Sequence, residues 1–174
     1  SLIVAVVTRL LWGLWGSRHA RFADFLRGPS TVLAYLRGAT HTGVGHNPLG
    51  GWSTLGLLSL ILSQGLSGLC ANDDIVFEGP LAYWAGDWSP TLTEWHEINW
   101  VLLQLFIAVH LGAIGYYRVM RKQRLVAVML RGSSEERYAE QRPVPARWAL
   151  LSALAVSAAL AAVVYWAPEA PSYY

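Results

Sequence analysis

The chain has 174 residues, of which 54% are apolar and 14% charged, with 9 Trp and a formal net charge of +2. Soluble domains carry about 25% charged residues, so the composition excludes an ordinary soluble globule. A disordered chain, poor in Leu, Val and aromatic residues, is excluded as well. Cys70 is the single cysteine, which excludes an intrachain disulfide scaffold.

The first apolar stretch, residues 1–16, is interrupted by Arg9. It falls short of the roughly 20 residues that cross a ~30 Å hydrocarbon core. It lacks the charged start and small-residue cleavage site of a signal peptide, and it reads as the second half of a span, with the chain beginning inside a transmembrane helix. Beyond it, Phe22, Phe25 and Leu26, then Val32, Leu33 and Leu36, recur at helical spacing opposite arginines, with Gly28-Pro29 between the two sets. The pattern predicts two short amphipathic helices, 20–27 and 29–37, lying on a membrane interface. They serve either as a surface connector or as a docking lid.

Three charge-free runs follow: 49–72, 98–117 and 148–168. Each is long enough to span a bilayer. The expected fold is all-α: a polytopic transmembrane helical bundle of three full spans plus one partial N-terminal span, with short interfacial helices. Residues 1–131 form the membrane domain, 132–147 a linker, and 148–174 an extra C-terminal helix and tail.

The charges orient these spans. Residues 17–48 carry four Arg against Asp24, and 118–147 carry eight Lys/Arg against three Glu. Residues 73–97 carry six acids and no base, and the tail after the last span has only Glu169. Basic loops stay on the cytoplasmic side. Residues 17–48 and 118–147 are therefore expected inside, and 73–97 and the C-terminus outside, in a bacterial inner membrane. Trp95, Trp100, Trp148, Tyr165 and Trp166 stand near span ends, as interfacial aromatics do.

The second full-length charge-free run carries the chemistry. His96 stands at its outer edge and His110 lies within it, fourteen residues on. On a helix that spacing falls about 40° short of four turns and separates the two by about 21 Å. Ionisable groups inside a membrane are costly and mark function. Two imidazoles on one stripe, one near each face, suit axial ligation of two haems stacked across the bilayer. The bland alternative is an interfacial histidine and a satisfied polar contact in a helix bundle. Gly51 and Gly65 share the same spacing on the preceding span. They either let a porphyrin approach the backbone or pack helices closely. His19, His41 and His46 fall in the inner loop, so they cannot complete two six-coordinate sites.

Four stretches then point to a family: GSRHARFADFLRGP (16–29), GHNPLGG (45–51), ANDD…EGPL (71–81) and HEINW…H…YY (96–117). Together they resemble the bacterial cytochrome b561 and Ni-Fe hydrogenase b-type cytochrome family, over about residues 10–131. The resemblance implies a membrane dihaem cytochrome b that passes electrons between a periplasmic redox partner and the quinone pool. It also implies that His96 and His110 match the family's paired histidines on the fourth helix. The family's partner histidines lie on its first and second helices. Relative to that pattern the chain is expected to be N-terminally truncated, without these two histidines.

By position, His46, Asn47 and Gly50 are candidates for a quinone site, with a helix entry capped by Asn47-Pro48 as the plainer reading. Arg9 either meets a haem propionate or snorkels to the interface. Cys70 reads as a small packing residue. The acidic outer loop suits a basic periplasmic cytochrome c or another redox subunit. The expected cofactors are haem b, two in the complete protein, and quinone. The expected partners are the lipid bilayer, quinone and subunits of a larger complex, with no nucleic acid. The chain is expected to act as an electron-transfer subunit of a membrane redox complex rather than a stand-alone enzyme. The rival reading is a non-redox membrane anchor or assembly subunit.

Overall fold

The computed structural model describes residues 2–16, 21–38, 48–120 and 145–168. It is all-α. Among the described residues seven α-helices follow in order, α1 (Leu2–Trp15), α2 (Phe22–Phe25), α3 (Pro29–Leu36), α4 (Pro48–Cys70), α5 (Ala82–Ala85), α6 (Ser89–Val119) and α7 (Ala146–Tyr165), with a short 3-10 turn, Gly86–Trp88, between α5 and α6. The expected full spans correspond to α4, α6 and α7, which lie in the three segments long and apolar enough to cross a membrane. The 14-residue α1 is shorter.

The four long helices stand in a row. α6 packs on α4, α4 on α1, and α1 on α7. Little of their surface is buried: Ile3 and Val6 on α1, Gly51 and Ser67 on α4, Asn99 and Leu103 on α6. Lipid is as apolar as Leu, so such helices associate through small residues and polar contacts rather than by hiding apolar surface. Gly56 shows the first device. A Cβ there would stand 2.8 Å from the Phe106 ring, so the glycine is what admits that ring to the α4 surface.

α3 (Pro29–Leu36) falls where the second short helix is expected, whereas the first, expected over 20–27, is only the four-residue turn α2 (Phe22–Phe25). Pro29 occupies the first turn of α3, where its missing N–H costs nothing. The helices are fastened at one end of the row. Trp52 Nε1–H donates to the Arg27 carbonyl at 2.8 Å, and the Tyr35 hydroxyl donates to that of Tyr117 at 2.9 Å. The ring of Phe22 rests on Gly13 of α1, and the Arg9 guanidinium lies 5.4 Å from the ring centroid, within cation–π range.

α6 is longer than the charge-free run within it. It starts at Ser89, with Pro90 in its first turn. It therefore takes in Glu94 and Glu97, both exposed. Its 31 residues rise about 46 Å, more than a hydrocarbon core needs, so one end stands clear of the apolar layer. The connection back to α4 is sewn to that end. Ser89 Oγ–H donates to the Cys70 carbonyl at 2.8 Å, and Thr93 Oγ1 accepts the Asn72 N–H at 3.0 Å. Asn72 and Glu78 form an isolated bridge. Between them the Asp73 carboxylate accepts the N–H groups of Ile75, Val76 and Phe77 at 3.0, 2.8 and 2.8 Å. The Phe77 N–H first, then those of Val76 and Ile75, hold that carboxyl below its ordinary pKa. The stretch expected only as an acidic loop is thus a tight turn followed by a short helix.

Candidate functional site

Along α6 the residues facing α4 are His96, Asn99, Leu103, Phe106 and His110. They follow one another at intervals of three and four residues, the spacing of a heptad seam. On α4 the facing residues are Ser53, Gly56, Leu60, Gln64, Ser67 and Gly68. The two helices run antiparallel, so the two ends of the seam repeat one arrangement. Ser53 Oγ lies 2.7 Å from Nδ1 of His110, and Ser67 Oγ lies 3.0 Å from Nδ1 of His96. Ser53 and Ser67 are themselves fourteen residues apart, which mirrors the histidine pair.

The proton positions at the His96 end follow from a chain of bonds. Asn99 Nδ2 donates to the Leu60 carbonyl at 3.0 Å, which can only accept, and this fixes the amide's orientation. The same nitrogen donates to Gln64 Oε1 at 2.6 Å, so Gln64 presents its NH₂ to Nε2 of His96, 2.9 Å away. Nε2 is then the unprotonated nitrogen. Nδ1–H donates to Ser67, whose own proton goes to the Ser63 carbonyl at 2.8 Å. At His110 the serine engages Nδ1 and leaves Nε2 as the second nitrogen of the ring.

Each imidazole therefore has Nδ1 beside a serine hydroxyl and Nε2 as its other nitrogen, an arrangement like that in which an outer partner orients a metal-bound histidine. No group of three or more His, Cys, Asp or Glu gathers among the described residues. A single imidazole at each place suits a metal whose remaining donors come largely with its cofactor, as porphyrin provides. These residues fit a haem ligand role. His110 does so with no hydrogen-bond partner at Nε2 among the described residues, and His96 would do so once Gln64 yields that nitrogen.

Gly68 is the glycine that matters to His96. A Cβ there would stand 2.8 Å from the ring's Cε1 and 3.3 Å from Nδ1. Gly65 faces elsewhere: a Cβ on it would stand 2.5 Å from Ile3 of α1. Its closeness thus serves helix packing against α1, away from the histidines. Gly51 is buried on α4. Gly50 accepts the Thr54 hydroxyl at its carbonyl, 2.9 Å away, in the first turns of α4. His46 and Asn47, the other quinone-site candidates, lie outside the described residues. Arg9 sits on α1 beside Phe22, apart from the α4–α6 seam. Ser53, Ser67, Gln64, Asn99 and Gly68 were not singled out in the sequence. The signal available was the fourteen-residue serine spacing and the presence of Gln64 and Asn99, two long polar side chains in otherwise apolar runs.

Residues 1–132 match the family model for prokaryotic cytochrome b561. No curated protein and no solved structure matches the chain.

Proposed function

On the premise that this chain belongs to the prokaryotic cytochrome b561 family, we propose that His96 and His110 are axial ligands to two b-type haems and serve transfer of electrons across the bilayer. Family membership makes the chain a membrane b-type cytochrome of electron transfer, in a multi-pass prokaryotic membrane protein. One observation carries the finer reading. Both imidazoles stand on one stripe of α6, and each has Nδ1 on a serine hydroxyl of α4.

Haem bound at each place would supply the one-electron couple. The chain supplies the rest. His96 and His110 present imidazoles about 21 Å apart along a single helix, one toward each end. A serine beside each Nδ1 orients the ring, and an Nδ1–H donated to it makes the opposite nitrogen the better donor. Between the two histidines the seam is filled by Leu103 and Phe106. Arg9, on α1 beside Phe22, is the candidate propionate contact. Gly50, in the first turns of α4, and His46 and Asn47, which precede it in the sequence, are the candidate quinone contacts.

Charge supports the orientation. The arginine-rich segment carrying α2 and α3 faces the cytoplasm, and the acidic connection between α4 and α6 faces the periplasm. That acidic face suits a basic cytochrome c or another periplasmic redox subunit. The exchange is then between a periplasmic partner and membrane quinone. The test is the reduced-minus-oxidised absorption spectrum of the protein purified from membranes. Difference bands of b-haem are expected, and a flat spectrum in a haem-replete host would overturn the reading.

A further inference from the structure

Asn99 is fully buried, with 0% of its surface exposed. Its Nδ2 has two acceptors, the Leu60 carbonyl and Gln64 Oε1. Its Oδ1 is buried with no hydrogen-bond partner among the described residues. A buried, unpaired amide oxygen in a membrane bundle is costly and calls for an explanation in the function of the site. The neighbouring group completes the picture. Gln64 Nε2–H donates to Nε2 of His96 at 2.9 Å, the nitrogen that the ligand role requires.

The two features are complementary. Once iron takes the lone pair of His96 Nε2, the Gln64 NH₂ loses its acceptor. The acceptor that lacks a donor is Asn99 Oδ1, on the amide Gln64 already touches. A turn of the Gln64 amide about its last side-chain bond can keep Oε1 on Asn99 Nδ2 and bring NH₂ to Asn99 Oδ1. The two amides are then paired head to tail. We propose that Gln64 and Asn99 form a positioning pair for His96. Gln64 holds the imidazole neutral with Nε2 unprotonated until the metal binds, and Asn99 then receives the released amide. The His110 end has the serine but no such pair among the described residues, so the device belongs to one site.

This rests on the reading of His96 as an iron ligand, and the experiment separates the two. Haem dissociation is followed by transfer to apomyoglobin in the membrane-purified protein. The His96-linked haem is identified as the one missing from His96→Ala. Asn99→Leu removes the receiving oxygen and strands the Gln64 NH₂ in the loaded state. It is expected to weaken the His96-linked haem about tenfold or more while the His110-linked haem stays bound. Adding Gln64→Leu removes the stranded group, so the double variant is expected to regain at least the lost tenfold.

Three results would overturn the proposal. One is unchanged haem release in Asn99→Leu. Another is no recovery in the double variant. The third is loss of both haems in both variants, which would make Asn99 a bundle fastener. Absence of haem from the wild type, or retention of both haems in His96→Ala, would instead remove the ligand assignment beneath it.

Discussion

On the proposed ligation, the serine hydroxyls beside each Nδ1 would set how the two imidazoles bind iron. A hydrogen bond from Nδ1–H to an oxygen makes the opposite nitrogen a better donor and favours the oxidised metal. Removing it should raise the midpoint potential. Ser67→Ala is expected to raise that of the His96-linked haem, and Ser53→Ala that of the His110-linked haem. The size is roughly 20–60 mV, the one-electron equivalent of a hydrogen bond's ~0.5–1.5 kcal/mol. Potentiometric titration reads the shift, and Ser→Thr at either position should abolish it. Shifts absent from both alanine variants would disconnect the serines from the site. The histidines were legible because an imidazole in an apolar run has few ordinary uses. The serines were not. A hydroxyl in a helix is satisfied by the carbonyl a turn earlier, as Thr54 is by Gly50 and Ser152 by Ala149, so its presence says nothing of a partner. Gly51 and Gly65 drew attention by a spacing that the serines two residues further on share.

Between α4 and α6 the fourteen-residue interval has a geometric reason. On a straight helix it leaves the histidines about 40° apart, but that is the drift of two heptads, about 20° each. A heptad seam takes it up, so His96 and His110 meet equivalent places on α4. The close approach at the seam depends on glycine. Gly68→Ala should favour the helix itself by up to about 1 kcal/mol, yet its Cβ would press on His96, which Ser67 and Gln64 pin in place. Overpacking of this kind costs about 1–3 kcal/mol. The His96-linked haem is expected to bind some five- to a hundredfold more weakly, with the His110-linked haem and thermal stability little changed. Equal binding of the His96-linked haem in variant and wild type would show that the ring does not need that contact. The ends of α6 were harder to read than its middle. Glu94 and Glu97 stop the apolar run but not the helix, because charge marks the edge of the hydrocarbon, whereas Pro90 in the first turn marks the start of the coil.

Across the whole molecule the spans were legible from length and charge alone, since a bilayer imposes both. Their neighbours were not. Lipid and a partner helix accept the same apolar side chains, so the order α6, α4, α1, α7 rests on small residues and a few polar bonds that only the assembled bundle reveals. The matched family region ends at residue 132, and α7 lies beyond it, packed on α1 at the far side of the row from the histidines. The proposed chemistry thus lies on the α4–α6 pair, and that is the claim to test. The most direct measurement is haem content and redox titration of His96→Ala and His110→Ala, each against the wild type. Each variant is expected to lose one b-haem component and keep the other, with the two losses complementary. Two haems retained in either variant would contradict the account.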